Sequence, residues 1–223
     1  GGGVSSLYDQ LEDVQYFEDE LHAAVMAAED AGTYVMVHVY VPEAIRRAIR
    51  AGVKSIEHGQ LIDEPTMKLI AEKGVWLSMQ PFIGEGNNHY TNPVQQAKHE
   101  LVVQGTDRAY QLAKKYGVKL AWGTDLLFSP ANARNQNLNI EKMTRWFSNF
   151  EILKMITHDN AELLALSGRR NPYSGKLGVI EEGALADLIV VDGNALEDIK
   201  VLTDPGKNML LIMKDGKIYK NDL

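Results

Sequence analysis

The sequence predicts an α/β protein with a parallel sheet, followed by a smaller region of short strands. Three observations carry this: a unit of helix, glycine and apolar strand occurs four times, the connections within the units are short, and the pattern changes from Arg169 onward.

The first unit is an amphipathic helix over 17–31 that stops at Gly32 and continues as the strand Tyr34-Val35-Met36-Val37-His38-Val39-Tyr40. The second takes Pro42 as a first helical residue, runs from Glu43 to Ala51, stops at Gly52 and gives Val53-Lys54-Ser55-Ile56-Glu57-His58. In the third, Pro65 opens a helix to Lys73, and Gly74 precedes Val75-Trp76-Leu77-Ser78-Met79-Gln80. The fourth helix, 96–116, stops at Gly117 before Val118-Lys119-Leu120-Ala121-Trp122-Gly123-Thr124-Asp125. Glycine fits the left-handed position that follows a helix, so each one marks a helix end.

Such units specify a parallel sheet covered by helices, either an open doubly wound sheet or a (β/α)8 barrel. Four strands are too few to close a barrel. No G-x-G-x-x-G follows any strand, which leaves the nucleotide-binding open sheet without support. A leading helix suits a chain that begins in mid-barrel.

Beyond Asp125 the sequence predicts a polar loop, a helix near 140–146 and a long helix over 148–166, with Ser148 as N-cap and Glu151 completing a capping box. Short strands are then expected at Gly178-Val179-Ile180, 186–191 and 209–213. The last pairs with Lys217-Ile218-Tyr219 across an Asp215-Gly216 turn. These strands alone are too few to bury two faces and are expected to need partners.

The 223 residues, 45% hydrophobic and 24% charged, are a globular composition large enough for a sizeable core. The net charge of −7 is dispersed in mixed runs, so neither nucleic acid nor a membrane is an expected partner. No run of 18 apolar residues occurs. The absence of cysteine excludes disulfides, thiolate ligands and a cysteine nucleophile, so any metal must be held by His and carboxylate. The compartment stays open. Gly1-Gly2-Gly3-Val4-Ser5-Ser6 reads as a loop that follows an element, the alternative being a Gly-rich leader.

Three of the four strands carry a candidate ligand near the C-terminal end: His38, His58 and Asp125. In parallel α/β folds that end gathers the loops that build sites. Alternation puts Met36, His38 and Tyr40 on one face of their strand, and Ala121, Gly123 and Asp125 on one face of theirs. A single strand histidine is ordinarily structural, and an Asp after Gly-Thr can simply cap a loop. Equivalent placement in separate units favours a shared site, expected to face one cavity. Two imidazoles and a carboxylate suit Zn²⁺ or a similar divalent ion. Tyr40 is a candidate for binding a substrate carboxylate or a developing oxyanion, with a rim position in the core as the alternative. The polar segment from Gly84 to Tyr90 is a candidate lid, its His89 facing solvent. His22, His99 and His158 are expected to be surface residues.

His38-Val39-Tyr40 with Pro42-Glu43-Ala44, then Ser55-Ile56-Glu57-His58-Gly59, then Trp122-Gly123-Thr124-Asp125 resemble strands five, six and eight of the amidohydrolase superfamily. They look closest to its Xaa-Pro dipeptidase-like and imidazolonepropionase-related branch. The tail from Gly175 to Gly193 is similar to the strands that close that family's β-sandwich domain. The resemblance covers nearly the whole chain. It implies the C-terminal half of a (β/α)8 TIM barrel over 1–168 and part of a β-sandwich domain over 169–223.

The resemblance also implies a binuclear metal centre, with zinc as the expected metal. His38 and His58 would ligate one metal, while Asp125 would ligate the other and shuttle the proton of a bridging hydroxide. The family takes further ligands from a His-x-His on strand one and a carboxylated lysine on strand four. Here no His-x-His occurs and no lysine precedes Lys54, so Gly1 to Val4 would begin just past that lysine and the chain alone is expected to be incomplete.

The implied function is metal-dependent hydrolysis of amide bonds in small substrates, dipeptide-like or N-acyl amino acids. Cyclic amide, carbamate or urea hydrolysis is the alternative within the same machinery. A different class is an inactive fragment whose open strand edges drive association with a missing N-terminal barrel segment or with further copies of itself.

Overall fold

The first helix, α1 (Glu18–Asp30), ends beside Gly32, and its successors α2 (Pro42–Ala51), α3 (Glu64–Lys73) and α4 (Pro93–Tyr116) end at Gly52, Gly74 and Gly117. All four glycines have positive φ, between 63° and 100°, as the sequence predicts. The structure, a computed structural model, describes residues 1–84, 90–126 and 130–223, apart from the side chains of 130 and 131. They fall into two compact units, Gly1–Gly123 with Leu166–Arg170, and Thr124–Ala165 with Asn171–Leu223. The boundary expected near 168 lies inside the short segment that packs with the first unit.

In the first unit, strands β1 (Met36–Val39), β2 (Ser55–His58), β3 (Trp76–Met79) and β4 (Leu120–Trp122) form a parallel sheet in the order β1-β2-β3-β4. Helix α1 packs on α2, α2 on α3 and α3 on α4, so the helices form one layer in chain order. The sheet does not show the order reversal that marks a doubly wound fold.

Val39, Ile56, Leu77, Met79 and Leu120 are buried together with Ile45, Ala48, Met67, Ile70, Ala109 and Ala113 of the helices. The alternate strand positions carry a different chemistry: Met36 and His38, Ser55 and Glu57, Trp76 and Ser78, then Ala121. On this second face the Ser55 hydroxyl donates to Glu57 Oε1 at 2.6 Å.

Two helix starts differ from the pattern. Asp63 caps α3 by accepting the Thr66 amide at 2.9 Å, which moves the start to Glu64. Asn92 caps α4 through the amides of Val94 and Gln95, ahead of the first periodic apolar positions.

The second unit begins with α5 (Pro130–Ala133), α6 (Leu138–Lys142) and a 3-10 turn (Met143–Arg145). The expected long helix starts at Ser148, whose capping box with Glu151 is formed. It is not continuous, because α7 (Asn149–Lys154) passes into a π-helical turn (Met155–Asp159) before α8 (Asn160–Ala165). Strands β5 (Leu188–Val191), β6 (Met209–Lys214) and β7 (Lys217–Asn221) form an antiparallel sheet, with α9 (Pro205–Asn208) leading into β6. Asp215 and Gly216, at φ 49° and 72°, make the expected tight turn.

The strand expected at Gly178–Ile180 is absent. Gly178 sits at φ 71° against Thr157, where a Cβ would lie 2.7 Å from the Thr157 carbonyl oxygen, so the chain turns there. Lys176 keeps only an isolated bridge to Ala184.

Candidate metal centre

His38 lies within β1 and His58 ends the adjacent strand β2. The register pairs His38 with Glu57 and pairs His58 with Val39, so a regular pleat would put the two histidines on opposite faces. Their rings nevertheless meet edge to face, 4.4 Å apart between centroids. The cause is the backbone at His58, where φ is +79° and the pleat breaks. A non-glycine residue in this region costs of order 1–3 kcal/mol and persists where its surroundings fix it. Gly59 follows at φ 71°, and its amide donates to the Val39 carbonyl at 2.9 Å, which ties the turn back to β1.

Each imidazole has one nitrogen committed. His58 Nδ1 lies 2.7 Å from Gln80 Oε1, and His38 Nε2 lies 3.0 Å from the Gly2 carbonyl oxygen. A carbonyl oxygen only accepts, so both of these nitrogens carry hydrogen. The lone pairs are therefore on His58 Nε2 and His38 Nδ1. Such an outer hydrogen bond is what orients an imidazole for metal binding.

Burial pushes the His58 imidazole down to about 4, with help from His38, while the Gln80 bond acts in the other direction. His58 is thus neutral near neutral pH and has no proton to lose before ligating.

Tyr40 is buried and stacks on His58, with centroids 4.9 Å apart and planes 23° from parallel. It also packs in an apolar cluster with Val4, Leu11 and Val102. Its face is therefore part of the wall that holds His58.

The segment ahead of α1 is built into this site. The Gly1 nitrogen donates to the His38 carbonyl at 2.8 Å. Lys98, buried on α4, donates to the carbonyl oxygens of Gly3, Ser6 and Asp9 at 3.0, 2.6 and 2.8 Å. Gly2 permits the crossing of the segment on itself, since a Cβ there would stand 1.7 Å from the Gln10 carbonyl oxygen.

Asp125 stands three residues beyond the end of β4, exposed, with φ 49°. It belongs to the second unit, while His38, His58 and Tyr40 of the predicted residues come together in the first. Among the described residues, no three His, Asp or Glu side chains form a group that could hold a metal ion.

His99 is a correction. Expected at the surface, it is buried against Phe82 and Tyr90, because α4 turns that face toward the chain that follows β3. His22 is exposed, and His158 is bonded to Asp159 Oδ1 at 2.9 Å. His89 lies outside the described residues.

Sequence reasoning passed over Gln80, Gln60 and Lys98. Gln80 had a signal, since it continues the polar phase of β3 after Ser78. Lys98 had none, because it sits in a largely polar stretch from Gln95 to Glu100.

Fold and site together define a parallel α/β unit with an imidazole pair at the C-terminal ends of neighbouring strands. Residues 1–219 match the Amidohydrolase family profile, and the chain belongs to that family. It is 33% identical over 223 residues to the ochratoxinase of Aspergillus niger, covering 98% of this chain and 45% of that protein. Two of the solved structures similar to it bear on the site. A prolidase in complex with N-methylphosphonate-L-proline superposes with a TM-score of 0.87 at 36% identity, covering 99% of this chain and 53% of that one. A Xaa-Pro dipeptidase with bound methionine in its active site gives a TM-score of 0.77 at 32% identity, covering 93% of this chain and 50% of that one. The chain thus spans about half the length of the relatives it matches.

Proposed function

We propose that this chain is the C-terminal half of a metal-dependent hydrolase that cleaves amide bonds in dipeptide-like or N-acyl amino acid substrates. The observation that carries the reading is the pairing of His38 and His58, each with one nitrogen tied to a carbonyl oxygen and the other left with its lone pair. A pair of imidazoles suits a divalent ion, with zinc as the favoured choice. Family membership and the prolidase and Xaa-Pro dipeptidase likenesses support the same chemistry and the substrate class.

When bound, a divalent ion lowers the pKa of water toward neutrality and polarises a carbonyl. His38 and His58 would hold it, and Tyr40 fixes the His58 ring from one side. Asp125 would take a proton on its carboxylate and deliver it to the leaving amine. The first unit is then half of a (β/α)8 barrel, consistent with four strands in chain order under a single helix layer. The three strands of the second unit belong to a β-sandwich. A preceding segment supplies the remaining strands and ligands and docks at the open edge of β1, where Val14, Leu21, Ala24, Met36 and Val37 line an apolar groove.

The experiment compares kcat/KM for Xaa-Pro and N-acyl amino acid substrates, with Zn²⁺ or Mn²⁺ added. The chain alone is set beside the chain joined to a segment supplying the His-x-His and lysine ligands. Turnover is expected only from the joined protein, and Asp125→Asn should keep most of the metal while losing most of kcat. Full turnover by the chain alone, or an Asp125→Asn variant as fast as its parent, overturns the reading.

A further inference from the structure

We propose that Gln80 is the positioning residue for His58: its amide carbonyl holds the Nδ1 proton and so keeps Nε2 as the lone-pair nitrogen, with Gln60 fixing the orientation of the Gln80 amide. Gln80 directly follows β3, in phase with Ser78, and is buried to the same degree as His58. The 2.7 Å separation of His58 Nδ1 from Gln80 Oε1 is a full hydrogen bond between two groups that solvent does not reach. Gln60, at 1% exposure the most buried of the three, donates its Nε2 to the same oxygen at 3.4 Å. Gln80 Oε1 therefore receives two donors, one from the end of β2 and one from the turn that follows it.

An amide is the informative choice at this position. A carboxylate would also accept the Nδ1 proton, but it would place a negative charge among buried groups. The amide fixes the same tautomer without that charge. The arrangement leaves one acceptor without a donor: among the described residues Gln60 Oε1 is buried with no hydrogen-bond partner. Turning both amides over would satisfy that oxygen, but it would put the proton on Nε2 of His58 and close that nitrogen to a ligand.

The consequence for metal binding rests on the function proposed above, whereas the tautomer itself does not. The test is a two-bond ¹H–¹⁵N correlation spectrum of the imidazoles in the metal-free 223-residue chain near neutral pH, with His58 assigned by its loss in His58→Gln. His58 is expected as the Nδ1–H tautomer. Gln80→Leu should shift it toward Nε2–H, and Gln80→Glu should restore Nδ1–H. In a Co²⁺ titration, Gln80→Leu should weaken binding by roughly 10- to 100-fold. Gln80→Glu should not weaken it. An Nε2–H tautomer in the parent chain overturns the proposal, as does a Gln80→Leu spectrum unchanged from the parent. If Gln80→Leu fails to fold, the parent spectrum and the near-isosteric Gln80→Glu decide. The expected tautomers without any Co²⁺ binding by the parent would uphold the role of Gln80 and remove the metal reading instead.

Discussion

His58 meets the His38 ring at 4.4 Å even though its register partner on β1 is Val39. The left-handed turn at His58 and Gly59 makes this meeting, and it is the first thing a substitution should test. The chain alone presents two imidazoles, whereas catalytic metal sites take at least three protein ligands. It is expected to bind at most one divalent ion, weakly, and His38→Ala or His58→Ala should abolish that binding. Calorimetric titration with Zn²⁺ or Co²⁺ reads the affinity and stoichiometry. Two tightly held ions per chain, or binding indifferent to both substitutions, would contradict the pair as ligands.

Acid should destabilise the first unit through His58. Folding lowers this imidazole from its ordinary 6.5 to about 4, chiefly by burial, so between those values the unfolded chain binds more protons than the folded one. The stability due to a neutral His58 is complete above about pH 6.5 and declines as the pH falls toward 4. The shift corresponds to a loss of up to about 3 kcal/mol. Urea unfolding across that range measures it, and His58→Gln should flatten the dependence. An unaltered pH dependence in His58→Gln would place the acid sensitivity elsewhere.

Helix–glycine–strand spacing made the sheet legible, since it depends on local signals that the fold then keeps: four αL glycines, four strands, and helices between them. The second unit was legible at the Ser148 capping box and the Asp215-Gly216 turn for the same reason. Where the sequence failed, the determinant was a distant contact. Gly178 turns because of Thr157, and His99 is buried because Phe82 and Tyr90 pack on it. The site was half legible. Alternation found His38 with Tyr40, but the register alone would have turned His58 away, and only the positive φ brings it back. Gln80 and Lys98 act through residues far away in sequence, which periodicity does not report.

Gly105 should resist the substitution that usually stabilises a helix. An exposed interior Gly→Ala change ordinarily gains about 1 kcal/mol. At this point α4 passes so close to the chain that a Cβ would lie 2.3 Å from the Gln60 carbonyl oxygen, a backbone atom that cannot rotate aside. Gly105→Ala is therefore expected to destabilise by about 1–3 kcal/mol, as overpacking does. A raised urea midpoint in the variant would show that α4 does not sit against Gln60 as described.

Lys98 should prove to be the fastening of the segment whose Gly2 carbonyl meets His38 Nε2. Its ammonium has three donors, and the carbonyl oxygens of Gly3, Ser6 and Asp9 accept all three at 2.6 to 3.0 Å. The residue is only 4% exposed, so the bonds form away from bulk water. Lys98→Met keeps most of the side-chain volume and apolar stem but removes the donor to Ser6 and Asp9, each costing about 1–3 kcal/mol unless water enters, while the Gly3 carbonyl keeps the Ser6 amide at 3.3 Å. The expected net loss is about 2–4 kcal/mol, less than the sum because the segment lifts to find solvent. Lifting has a second consequence. Gly2 moves away from His38 Nε2, so the fixed Nδ1 lone pair of that ring is no longer enforced. Hydrogen exchange should therefore accelerate across residues 3–13 while the strands and α2 to α4 stay protected, and the His38 imidazole should become a mixture of tautomers. Lys98→Arg should not rescue, since a planar fork does not fit three carbonyls arranged around one nitrogen. If Lys98→Met exchanges no faster over residues 3–13 than the parent, the segment is held by Val4 and Leu11 in the apolar cluster with Tyr40, and the ammonium is dispensable.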